Sequence, residues 1–147
     1  MTTIFTMGFT QKKARQFFDL IQSNGIELMI DIRLNNISQL AGFTKGDDLE
    51  YFLDVICGCR YEYRSDFAPT KEIMEGYKGG TLGWEAYESQ YSSLIKERNA
   101  TRDFAERYGG YEKICLMCSE AKADHCHRRI LAGMISGEFP QYLVNNI

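Results

Sequence analysis

The regular exchange of two hydrophobic periods constrains this chain more than any other feature. Five short apolar runs have strand length and composition: "TIFTMG" (3–8), "IELMIDIR" (26–33), "RYEYR" (60–64), "YEKICLMC" (111–118) and "QYLVN" (141–145). Between the first two, Ala14, Phe17, Phe18 and Ile21 recur at the spacing of one helix face and stop at Gly25. Leu49, Phe52, Leu53 and Ile56 repeat that pattern within "GDDLEYFLDVICG" (46–58), with Gly58 as its stop. A longer helical pattern runs from Trp84 to about Tyr108 and loses phase near Asn99, which predicts a bend or break there. The last helix is expected over "DHCHRRILAGMIS" (124–136), capped by Asp124. Residues 65–83, carrying Pro69, Gly76, Gly79, Gly80 and Gly83, read as a long loop with one helical turn; loops of this length are usually functional or mobile.

Alternating strands and helices require a mostly parallel sheet covered by helices on both faces, joined by right-handed crossovers. The expected fold is therefore α/β, a three-layer sandwich of about five strands, Rossmann-like, whose strand order local patterning does not encode. The 147 residues, 44% of them apolar, suit a single domain over 1–147, able to bury about 68–70% of its unfolded surface. No linker or repeat divides it. A net charge of −3, with 17 basic and 20 acidic residues dispersed along the chain, gives no broad attraction to nucleic acid or to an anionic membrane. No 18-residue apolar stretch occurs, and "MTTIFTMGFTQKK" lacks the basic start and apolar centre of a signal peptide, so a cytoplasmic protein with reduced thiols is expected. Five cysteines, an odd number in two clusters, do not read as a disulfide framework.

In sheets of this kind ligands bind beyond the carboxyl ends of the strands. Three strands end there in unusual residues: Gly8-Phe9-Thr10, Asp31-Ile32-Arg33 and Cys118-Ser119-Glu120. Strand alternation places Asp31 and Arg33 on one face, either as a structural ion pair or as part of a ligand site. Beyond Cys118, "CSEAKADHCHRR" (118–129) concentrates thiols, imidazoles, acid and guanidinium groups. At 100° per residue the apolar face of the last helix, Ile130, Leu131, Met134 and Ile135, is centred on His127, which should point at the sheet while His125 faces solvent. Cys126, Arg128 and the first-turn amides make a candidate anion cradle, since helix N-termini attract anions and lower thiol pKa. Cys118 is either a small buried residue or a nucleophile whose proton Glu120 and His127 manage.

Zinc competes for the same residues, because Cys115, Cys118, Cys126 and the two histidines resemble a ligand set. Against it, "CLMC" ends a strand, where residues three apart face opposite ways, so Cys115 is assigned to the core and no metal is assigned. Cys57 and Cys59 read as packing residues. Trp84, Tyr87, Tyr91 and Leu94 read as a buried stripe, with Trp84 at the entry of the glycine-bearing loop. Arg64, ending the third strand, either adds positive charge to a pocket at this edge or stands exposed without a partner.

The order "TMGFT", "DIR", "WEAYESQY", "CSE" and "CHRR" resembles the family catalogued as domain of unknown function 488, whose members carry a strand-terminal D-x-R and a C-x-E followed by C-H-R. The likeness spans nearly the whole chain and falls most specifically on Cys118, Glu120, Cys126, His127 and Arg128. Residues 65–83 depart from the family's glycine-pair pattern, which puts any difference in substrate preference there. The resemblance implies a compact α/β domain whose motif residues belong together, and it supplies no reaction. The expectation from the residues is an enzyme, a thiol-assisted or acid-base hydrolase or transferase, acting on a small anionic or nucleotide-like substrate. Its catalytic residues would be Cys118, Glu120 and His127; its ligand-binding residues Gly8, Asp31, Arg33, Arg64, Cys126 and Arg128. No cofactor is expected, and oligomeric state is not encoded in these patterns. The alternatives are a non-catalytic module binding a phosphate, a nucleotide or a nucleic-acid end, and a zinc-supported structural domain.

Overall fold

A computed structural model describes residues 1–37, 42–120 and 123–147. Its elements follow the hydrophobic pattern closely: β1 (Thr2–Gly8), α1 (Ala14–Ser23), β2 (Leu28–Asp31), α2 (Gly46–Phe52), β3 (Arg60–Tyr63), α3 (Lys71–Lys78), α4 (Trp84–Glu97), α5 (Ala100–Tyr108), β4 (Lys113–Cys118), α6 (His127–Glu138) and β5 (Tyr142–Asn146). The five strands form one all-parallel sheet in the order β3-β2-β4-β1-β5.

The pleat sorts side chains between two cores. Ile4, Leu28, Ile30, Ile32, Ile114, Leu116 and Cys118 face α4, α5 and α6, where Tyr91, Phe104 and Leu131 meet them. Phe5, Met7, Met29, Cys115 and Met117 face the other way, onto Phe17, Phe18 and Ile21 of α1 and Leu49 of α2. The result is three layers. Cys115 and Cys118 lie in different cores, as three-residue spacing in a strand requires.

Three local details depart from the sequence pattern. The 46–58 segment is helical throughout, but it widens after Phe52 into a π-helical turn, Leu53–Cys57, that Gly58 closes in the left-handed region at φ 60°. The long loop contains the two-turn helix α3 rather than one turn: the Thr70 hydroxyl caps it by accepting the Ile73 N–H, and Ile73 and Tyr77 pack on the core. The last helix starts at His127 with Cys126 at its N-cap, so Asp124 and His125 fall in the preceding turn, outside the helix. Asn99, in the left-handed region at φ 55°, breaks α4 from α5 where the apolar phase is lost. No helix among the described residues is long and apolar enough to cross a membrane.

Candidate functional site

The strand order puts the end of β4 at a topological switch. Its neighbours β1 and β2 feed α1 and α2 on one face of the sheet, whereas β4 feeds α6 on the other. The chain therefore parts on both sides of β4, which is where open parallel sheets form ligand crevices. Gly8 is in register with Cys118. A Cβ on Gly8 would lie 1.5 Å from the Glu120 carbonyl oxygen and 2.9 Å from Arg128 Nη1, so only glycine allows the two loops to approach this closely. Thr10 fixes the approach by donating both its N–H (3.1 Å) and its hydroxyl (2.7 Å) to the Ser119 carbonyl.

Cys118 is buried, and its sulfur is surrounded by donors. Arg128, itself 1% exposed, brings Nη1 to 3.1 Å from Cys118 Sγ and donates from the same nitrogen to the Glu120 carbonyl. The Cys126 thiol and the Glu120 main chain also favour charge on this sulfur. Burial opposes ionisation, but the Cys126 thiol, the Arg128 charge and the Glu120 amide outweigh it, so Cys118 ionises below the ordinary thiol range. Cys126 goes the other way: its S–H is engaged by Cys118 and buried, and it keeps its proton. Of the two thiols, Cys118 is therefore the one that ionises more readily.

His127 is buried where its helix face puts it. Its Nε2 lies 2.8 Å from the Ile32 carbonyl, which can only accept, so Nε2 carries the proton and Nδ1 the lone pair. Nδ1 lies 3.9 Å from Cys126 Sγ. Burial, helped by the Arg128 charge and partly offset by the Ile32 bond, lowers the imidazole to about 4, so it is neutral near pH 7.

Asp31 and Arg33 project together and pair in fork geometry. Arg33 Nε donates to Asp31 Oδ1 at 2.8 Å and Nη2 to Oδ2 at 2.6 Å; Nη2 also donates to the Thr44 carbonyl at 2.7 Å. Tyr61 adds its hydroxyl to Asp31 Oδ2 at 2.6 Å, and the guanidinium carbon sits 5.2 Å from the Phe9 ring centre. Burial works against the Arg33 charge, yet the Asp31 carboxylate outweighs it and raises the guanidinium above its ordinary value. Arg33 is 5% exposed, and Nη1 is its unmatched nitrogen: it is buried and has no hydrogen-bond partner among the described residues.

These groups meet at one cavity of about 280 Å³. Arg33, Cys118, Glu120, Cys126 and His127 line it, while Gly8, Asp31 and Arg128 stand directly behind the lining residues. Glu120 touches Cys118 through its main chain, and its side chain is exposed at the rim. Arg64 is not brought here. It is clamped by Asp66 at 2.8 Å, by Asp103 and by the Tyr108 hydroxyl at 2.8 Å, over the Phe67 ring, and its charge is absorbed in that network. Among the described residues no three His, Cys, Asp or Glu side chains gather to hold a metal ion.

The sequence reading missed the walls. Phe9, Tyr77, Tyr87, Met74 and His125 line the same cavity, and His125 lies against the Trp84 ring with centroids 4.7 Å apart. Burial, then the neighbouring Cys126 and Cys118, raise the Tyr87 phenol. Helical spacing identifies Tyr87 as core, which it is; that one edge of it borders a cavity depends on α3, whose position the sequence did not reveal.

Comparison with curated proteins and comparison with solved structures returned no match. A family model does match, over residues 13–135, a span that holds the D-x-R, C-x-E and C-H-R elements and leaves Gly8 just outside it. The chain thus belongs to the family described as "Domain of unknown function DUF488".

Proposed function

We propose that this protein is a thiol enzyme for a small anionic or nucleotide-like substrate, with Cys118 as its nucleophile. One observation carries the reading: a single cavity is lined by Cys118, whose sulfur Arg128 contacts at 3.1 Å, and by Arg33, whose buried Nη1 has no partner among the described residues. A buried guanidinium nitrogen without an acceptor is costly, and a substrate oxyanion would satisfy it. Asp31, Tyr61 and the Thr44 carbonyl hold the other faces of that guanidinium in place, as an anion receptor requires. The aromatic walls suit a planar substituent.

The Cys118 thiolate supplies the electron pair for the bond to the substrate's electrophilic atom, and the leaving group departs through the open mouth beside Glu120, where water protonates it. Water or a second acceptor then takes the group from sulfur, which separates a hydrolase from a transferase. His127 serves as a positioning residue for Cys126, because its only proton is held by the Ile32 carbonyl.

Competitive alkylation of the native protein by iodoacetamide at pH 7, read by peptide mass mapping, tests this. Cys57 is the most exposed cysteine, and burial raises its pKa, so exposure alone would make it react first. The expected result is the reverse order, with Cys118 faster by about tenfold or more and protected by inorganic phosphate. Arg33→Met should abolish that protection. Slow alkylation of Cys118 together with salt-sensitive phosphate binding would support the non-catalytic module, and stoichiometric chelator-sensitive metal would support the zinc domain.

A further inference from the structure

We infer that Cys118 and Cys126 form a redox-active dithiol, which peroxide closes to a disulfide and a thiol reductant reopens. The inference rests on the same Cys118 sulfur as the reading above but requires no substrate. Cys118 and Cys126 line the same cavity, belong to the same core cluster and shift each other's ionisation. Cys115 is in the opposite core, and Cys59 and Cys57 lie with α1 and α2, away from this cavity.

The pair is chemically unequal, as a peroxide-reactive dithiol must be. Cys118 has the Arg128 guanidinium on its sulfur, and Cys126 holds the remaining proton at the N-cap of α6. In the first step the Cys118 thiolate attacks one peroxide oxygen; the O–O bond breaks, hydroxide leaves, and Cys118 becomes a sulfenic acid. Cys126 sulfur then attacks the Cys118 sulfur, the S–O bond breaks, and the hydroxyl leaves as water with the Cys126 proton. The two sulfurs lose two electrons between them, and the two peroxide oxygens gain them. The balance is thiolate plus thiol plus hydrogen peroxide, giving disulfide, water and hydroxide.

Both cysteines sit at the ends of their elements. Cys118 is the last residue of β4, and Cys126 precedes the first residue of α6. Drawing the sulfurs together to about 2.05 Å would therefore call on movement at the ends of the two elements and not in their interiors. Closure would remove the nucleophile, so oxidation and thiol catalysis at this site exclude each other.

The test uses the full reduced chain, freed of reductant and titrated with hydrogen peroxide. Intact mass should fall by two hydrogens, peptide mapping should link Cys118 to Cys126, and dithiothreitol should restore both thiols. In Cys126→Ser the sulfenic acid on Cys118 should persist and react with dimedone. Peroxide treatment that leaves Cys126 free while Cys118 is unchanged or sulfinylated, or that links other cysteines, overturns the inference. Parallel iodoacetamide labelling of the same reduced sample separates the two ideas. Fast alkylation of Cys118 without the disulfide defeats only the redox inference. The disulfide with slow alkylation supports it and defeats the enzyme reading, and neither signal defeats both.

Discussion

Replacing His127 by glutamine isolates a single buried proton site whose effect on stability can be worked from the structure. An unfolded histidine titrates near 6.5, whereas His127 in the folded chain is lowered to about 4. Between these values the unfolded chain binds a proton that the folded chain refuses. The stability tied to neutral His127 is therefore complete above about pH 6.5, declines as pH falls, and is gone once the folded imidazole protonates near pH 4. At about 1.36 kcal/mol per tenfold change in proton affinity, the whole effect is about 3 kcal/mol, of which about 2 kcal/mol is lost between pH 7 and pH 5. Glutamine does not titrate and keeps an N–H able to reach the Ile32 carbonyl, while His125 is common to both proteins and cancels. Urea unfolding at pH 7 and pH 5 gives four free energies. The wild type should lose about 2 kcal/mol more than His127→Gln across that interval. A difference below about 0.5 kcal/mol would refute a neutral, carbonyl-bound imidazole at this position.

Gly8→Ala drives a methyl into the Glu120 carbonyl and should cost stability at the upper end of about 1–3 kcal/mol, seen as a lower urea midpoint. Gly133→Ala is the control within α6: nothing lies within 4 Å of its added Cβ, and thermal unfolding should show stabilisation of up to about 1 kcal/mol. Tyr61→Phe removes the hydroxyl that supports Asp31 and should cost about 1.5–3 kcal/mol in the same unfolding assay. It should also weaken phosphate protection of Cys118, since the Asp31–Arg33 pair is then held from one side fewer.

Much of this arrangement was legible beforehand because it depends on short-range periodicity. Period two placed Asp31 with Arg33 and set Cys115 opposite Cys118; period 3.6 aimed His127 at the sheet. What escaped depends on partners far away in sequence. Arg64 ends its strand at the expected edge, but Asp66 and Asp103 capture it, and Asp103 lies on α5. Tyr61 alternates out of the third strand with nothing local to connect it to Asp31, thirty residues earlier. Glu120 looked like a carboxylate acting on Cys118, whereas its amide and carbonyl make the contacts; a sequence displays side chains and conceals main-chain donors. The order of the strands has no local signature at all.

That order makes β4 the piece on which assembly waits. β1 and β2 are not neighbours; each pairs with β4, and Thr3 meets Lys113 across more than a hundred intervening residues. Until residues 113–118 emerge, β1 has no partner and the β2–β3 pair stands apart from it, so the sheet waits on a slow, entropically costly loop closure. The strand that joins these pieces also carries Cys118 at its tip, so the hydrophobic interior and the surroundings of that sulfur are brought together by one event.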